Sequence, residues 1–218
     1  MQVTLRRLIG TTSLAAALSL GAVGVAPASA SSAHPAYTVI GKDGLAGYAD
    51  VAMNAWLRFT AYQKPADLAE FDRIRDALAL EAARRVGADG ARMQAAWRRA
   101  DRAHQVALMS AMTQLGTPYR RNTSKPGSGF DCSGLTTWAW AQSGITLPRQ
   151  SRSQINTVVR VSREQAQAGD LVYYPGHVSL YLGVDNYILH APFTGRSVEF
   201  SHIKSSRANS VLFGNPAA

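Results

Sequence analysis

The sequence predicts an α+β protein. Helical hydrophobic patterns fill its first half, short β-rich runs fill its second, and a glycine- and proline-containing stretch divides them. A first helix is expected over 48–62, with Val51, Ala55, Trp56 and Phe59 on one side. A second starts near Pro65, whose fixed φ suits a first turn. It repeats Leu68, Phe71, Ile74, Leu78, Ala82 and Val86 at helical spacing until Gly87 stops it. A third, over 90–115, carries Met93, Trp97 and Ala100, then Leu108, Ala111, Met112 and Leu115 as a core-facing stripe. Together they make a hairpin or small bundle. No chemistry is evident in them, and His104 and Trp97 read as packing or surface residues rather than ligands.

From Gly116 to Gly129 the composition is that of an irregular loop, after which a short helix opens at Asp131-Cys132 and ends near Gly144. Beyond Leu147-Pro148 the pattern turns to strands, at 158–161, 171–174, 177–182, 187–190, 198–200 and 211–213. A helix followed by neighbouring strands implies an antiparallel sheet. The expected organisation is a leader over 1–30, a loosely ordered lead-in over 31–47, a helical region over 48–101 and a helix-plus-sheet domain over 102–218.

The leader has the layout of a cleavable secretory signal. Arg6 and Arg7 precede an apolar stretch from Leu8 to Val25, and Ala28-Ser29-Ala30 supplies the small residues for cleavage. Gly, Ser and Thr interrupt the stretch, which argues against a stable membrane anchor, and Ser31 rather than a cysteine follows the expected cut. The charge is uneven. From Asp43 to Thr113 ten Lys/Arg nearly balance nine Asp/Glu, whereas from Gln114 onward ten basic residues face five acids. Outside a cell, such a basic surface suits an anionic polymer such as a bacterial wall. Nucleic acid is a poor match, because no stacking platform or recognition motif accompanies the charge.

An exported chain with one cysteine cannot make an internal disulfide, so Cys132 is either a buried small hydrophobe or a reactive thiol. Asp131 is a strong N-cap candidate that puts Cys132 at the first helical position. There, backbone N–H groups and the helix dipole favour thiolate and can also hold an oxyanion. Gly134 permits close approach of another segment, and Leu135, Trp138 and Trp140 can anchor the helix. His177 opens one predicted strand and His190 closes the next, and a turn at 184–186 would leave both at the open end of a hairpin. Nucleophile, base and orienting group would then be present. Two ordinary sheet histidines, or a Cys/His/His zinc site without compact ligand spacing, are the competing readings.

Six segments in order resemble the NlpC-type cell-wall cysteine peptidases, a papain-like family. They are Gln-Leu-Gly-Thr-Pro-Tyr (114–119), Gly-Phe-Asp-Cys-Ser-Gly-Leu (129–135), Leu-Pro-Arg-Gln-Ser (147–151), Ala-Gly-Asp-Leu-Val-Tyr-Tyr (168–174), His-Val-Ser-Leu-Tyr-Leu-Gly (177–183) and His-Ala-Pro (190–192). The resemblance covers 102–218 and implies a nucleophile-bearing helix packed on an antiparallel sheet. It implies Cys132 as nucleophile, His177 as general base and acid, and His190 as the third polar residue. Tyr119 would help hold the oxyanion, and Asp131 and Ser133 would shape the substrate site. The implied reaction is hydrolysis of an amide in peptidoglycan stem peptides, commonly between D-isoglutamate and a diamino acid, without metal or cofactor. A thiol amidase, a transferase and a non-catalytic wall-binding module are the alternatives. The chain departs from the family pattern at Arg120-Arg121-Asn122-Thr123, where an aromatic and paired glycines are usual, so the cleft lining there is its own.

Overall fold

The computed structural model describes residues 41–218. The expected leader, and the lead-in as far as residue 40, lie outside the described residues. Among the described residues no helix is long and apolar enough to cross a membrane.

Helix α1 (Gly44–Tyr62) begins inside the segment expected to be loose. The Asp43 carboxylate accepts from the Leu45 N–H at 2.8 Å, and the backbone N–H of Asp43 donates to Leu115 O, so capping and chain pairing order the residues before 48. Helix α2 (Pro65–Val86) keeps its expected ends, with Gly87 closing it at φ 74°.

The expected third helix is two helices, α3 (Gly90–Arg99) and α4 (Arg102–Met112), because Ala100 turns extended. The break is held by tertiary partners. Gln105 Nε2 donates to the freed Ala100 carbonyl at 2.7 Å, and the Asp101 N–H donates to Gln167 Oε1 at 2.8 Å. Gln105 in turn accepts from buried Arg75 at 2.8 Å.

A small hairpin, β1 (Ser124–Lys125) with β2 (Gly129–Phe130), leads into α5 (Cys132–Ala141). Helix α6 (Ser151–Thr157) occupies a segment the sequence pattern leaves without a helix; only its Gln154 and Ile155 are buried. The strands are β3 (Val159–Val161), β4 (Leu171–Tyr174), β5 (His177–Tyr181), β6 (Tyr187–His190), β7 (Glu199–His202) and β8 (Leu212–Asn215). They form one antiparallel sheet ordered β3-β8-β4-β5-β6-β7. The fold is α+β and papain-like in plan, with the cysteine-bearing helix laid against an antiparallel sheet.

Strand alternation divides the sheet's two faces. Leu171, Tyr173, Val178, Leu180 and Leu189 point into the main core, while Val172, Tyr181, Ile188, Ile203 and Phe213 make a smaller cluster. The main core is continuous from Ala46 on α1, through Phe71 and Trp97, to Leu135 and Trp140 on α5. Trp97 Nε1 donates to Leu182 O at 2.9 Å, so the helices rest directly on the sheet's connections. His104 is fully buried, pairs with Asp170 Oδ1 at 2.9 Å and meets Trp140 edge-on.

Candidate active site

Cys132 sits at the first position of α5 because Asp131 caps it. The Asp131 Oδ1 accepts from the Gly134 N–H at 2.7 Å. A Cβ on Gly134 would lie 2.2 Å from Thr123 O, so only glycine lets the first turn lie this close to the preceding loop. That carbonyl also accepts from the Asp131 N–H at 2.9 Å, which fixes where the helix starts.

Arg149 clamps the cap from α6's side. Its Nη2 and Nη1 donate to the two Asp131 oxygens at 2.6 and 2.9 Å, and Nη1 also reaches Ser133 Oγ at 2.9 Å. Buried Gln154 staples α6 to α5, donating to the Ser133 and Pro148 carbonyls at 2.9 Å each and to Thr137 Oγ1 at 2.7 Å.

The histidines stand where the β5–β6 ladder ends. That ladder pairs only Leu180 with Leu189 and Tyr181 with Ile188, so the strands part beyond it. In the opening His177 Nε2 meets His190 Nδ1 at 2.8 Å, both rings almost fully buried. The backbone N–H of Val178, the residue after His177, lies near enough to the Cys132 sulfur to favour its thiolate, which puts the thiol close to the start of β5. The N–H groups of Ser133 and of Cys132 itself favour the thiolate in the same way. The thiol is half-buried and opens into a cleft of about 740 Å³, whose lining includes Tyr119, Arg121, Asp131, Ser133 and Arg149. Among the described residues, none from α1 to α4 lines this cleft, so the helical half does not form its lid.

Residues 116–215 match the model of the NlpC/P60 family. That segment, a little under half of the chain, is similar to the NlpC/P60 domain. Over 121 residues it is 35% identical to the bifunctional muramidase/DL-endopeptidase CwlT of Bacillus subtilis, covering 51% of this chain and 36% of that one. Over 110 residues it is 36% identical to the probable endopeptidase Cgl2188 of Corynebacterium glutamicum, covering 47% of this chain and 52% of the other. The chain thus spans only a third to a half of the length of these relatives. Among solved structures, RipD of Mycobacterium tuberculosis, described as a non-catalytic NlpC/p60 domain protein adapted to peptidoglycan binding, is 28% identical; the match covers 53% of this chain and 98% of that one, with a TM-score of 0.43.

Within the matched segment the electrostatics correct one expectation. The helix start was expected to favour thiolate at Cys132. Burial against β5 instead pushes the thiol's pKa up, with the Asp131 carboxylate adding to the rise, and the three N–H donors only partly oppose it. Burial likewise pushes His177 down to about 4, with the Arg207 cation adding to it. It pushes His190 down to about 3, helped by His177 and Arg196. At neutral pH the resting thiol and both imidazoles are therefore uncharged. Tyr119 is pushed up, first by burial and further by the charge Cys132 acquires at the alkaline pH where a tyrosine titrates, so its hydroxyl keeps its proton.

Three features of the domain lie outside the residues singled out from sequence. Arg149 belongs to the Leu-Pro-Arg-Gln-Ser segment, but its bidentate grip on Asp131 appears only in three dimensions. Glu199 Oε1 comes within 3.8 Å of His190 Nε2, an atom with no hydrogen-bond partner among the described residues. Tyr174 stacks on His177 with centroids 5.0 Å apart, and the Arg207 guanidinium lies over the Tyr174 ring, 4.7 Å from its centroid.

Proposed function

We propose that the protein is an exported peptidoglycan endopeptidase that hydrolyses an amide of cell-wall stem peptides through Cys132, His177 and His190. The observation that carries the reading is the seating of an accessible sulfur at a capped helix start, against the strand that begins with His177, with His190 2.8 Å from that imidazole. The names of the relatives agree with it, the residue pattern of 1–30 supports export, and the basic surface suits an anionic wall polymer.

The hydrogen-bond chain has one tautomer suited to this work. If His177 Nε2–H donates to His190 Nδ1, then Nδ1 of His177 keeps a free lone pair, and the remaining proton of His190 sits on Nε2, facing Glu199. His177 Nδ1 takes the thiol proton as the sulfur bonds to the carbonyl carbon, so a low pKa on the base and a raised one on the thiol delay charge separation until substrate arrives. The oxyanion falls to the N–H groups at the start of α5 and to the protonated Tyr119 hydroxyl. The C–N bond breaks as His177 passes its proton to the departing nitrogen, leaving a thioester. Water then adds to that carbonyl, giving its proton to His177, and the C–S bond breaks as sulfur is reprotonated. Asp131 and Ser133, held by Arg149, shape the acyl side of the cleft.

Digestion of purified muropeptides followed by mass analysis tests the proposal. Release of shorter peptides by the wild type, lost in Cys132→Ala, is expected. Activity retained by Cys132→Ala removes Cys132 as nucleophile, and products cut between glycan and first stem residue replace the endopeptidase by a thiol amidase.

A further inference from the structure

A second cavity of about 430 Å³ adjoins the His177–His190 pair. Cys132 lines the first cleft and not this one, His177 lines this one and not the first, and Phe193, 59% exposed, belongs to both. Its walls carry Tyr174, His177, His190, Arg196, Lys204 and Arg207. Glu199 is the one acid among the lining residues, and it is already engaged by Arg196 through contacts of 3.1 and 2.5 Å. Among the described residues neither Lys204 nor Arg207 has a carboxylate partner, and Arg207 is held in place by the Tyr174 ring. The His190 Nε2 that borders this space is buried and without a hydrogen-bond partner. Positive side chains gathered around a concave site select an anion.

The position of the cavity decides which anion. A group that protonates a leaving nitrogen must lie beside that nitrogen, so the amine half of a substrate leaves on the imidazole side and the acyl half stays with the sulfur. We infer that the cavity rimmed by Arg196, Lys204 and Arg207 is the subsite for the amine half of the stem peptide, and that it takes a residue bearing a free carboxylate there. This rests on the proposed peptidase reading and adds to it a charge requirement on the departing side.

Two stem tripeptides with the same acyl half and an amidated C-terminus test it, one with meso-diaminopimelate's side carboxylate free and one with that group as carboxamide. Two exposed cations facing one carboxylate make the wild type favour the charged substrate in kcat/KM by about tenfold. In Lys204→Gln/Arg207→Gln the ratio of the two substrates falls close to one, whatever the absolute rates. A wild type that does not discriminate, or a ratio the double variant leaves intact, overturns the inference. Calorimetric titration of the free amine-side fragment, charged or amidated, into Cys132→Ala protein decides the cavity without turnover, the charged fragment binding tighter by about tenfold only while both cations are present. Loss of turnover on both substrates with this titration positive rejects the peptidase reading alone. Tighter binding of glycerol 3-phosphate than of the charged fragment would reassign the cavity to a wall phosphate and sink the stem-peptide assignment.

Discussion

Removing the Arg149 guanidinium should weaken the fold at the point where the thiol is mounted. The Asp131 side chain is 9% exposed and that of Arg149 42%, with two contacts of 2.6 and 2.9 Å between them. In Arg149→Met the carboxylate keeps the Gly134 N–H at 2.7 Å and a distant Ser133 hydroxyl at 3.4 Å, and faces the interior with no counter-charge. Breaking a fully buried pair costs about 3–5 kcal/mol and an exposed one about 1 kcal/mol or less. With one partner buried and the other half in water, about 2 kcal/mol is expected. Asp131→Asn keeps a good cap and lets Arg149 return to solvent, so it should cost about 1 kcal/mol. The two effects should not add, because the pair can be broken only once; the double variant should fall about 1 kcal/mol short of the sum. Urea unfolding of the four proteins near neutral pH measures the cycle. Arg149→Met costing less than about 0.5 kcal/mol, or strict additivity, would refute the view that the pair holds the helix start.

Other consequences are equally direct. Unfolded imidazoles take protons near 6.5, whereas His177 and His190 do so at about 4 and about 3 when folded. The unfolded chain therefore binds more protons below 6.5, and stability should fall with pH through that window by about 3 kcal/mol for His177, complete only once the folded ring is protonated. Urea midpoints stepped from neutral pH to about 4 should slope less in His177→Gln than in the wild type, and equal slopes contradict the burial argument. Gly134→Ala places a methyl against Thr123 O at 2.2 Å, so α5 must shift, at a cost of about 1–3 kcal/mol in unfolding with muropeptide turnover falling alongside. With its thiol pushed up by burial, Cys132 should react with iodoacetamide more slowly at neutral pH than free cysteine, with the rate still climbing at alkaline pH. Fast labelling at mildly acidic pH would show instead that the helix start and imidazole outweigh burial.

What could be read from the sequence was local. Pro65 and Gly87 mark the ends of α2 by their own backbone preferences, and the β-branched runs between turn residues locate the six strands of the large sheet to within one or two positions. Asp131, Cys132 and Gly134 announce a capped helix because cap, first turn and close approach are properties of neighbouring residues. Features fixed by distant partners were not legible. The break at Ala100 depends on Gln105 and Gln167, neither of which disturbs the hydrophobic repeat. Helix α6 is short and polar, and its meaning lies in one buried glutamine bound to α5. The raised thiol pKa follows from the packing of β5 over the sulfur, and the Arg149 and Glu199 contacts join residues 18 and 9 positions apart.

The hydrogen bond from the Trp97 indole to Leu182 has a consequence for how the chain can be divided. Leu182 directly follows β5, and the same aromatic ring fills the interior shared with α2. Cutting the polypeptide at residue 102, where the pattern of the peptidase family begins, would therefore strip away a buttress rather than an accessory. The remaining fragment would present Leu108, Met109 and Met112 to water. The first half of the molecule serves as the foundation on which the strand carrying His177 stands.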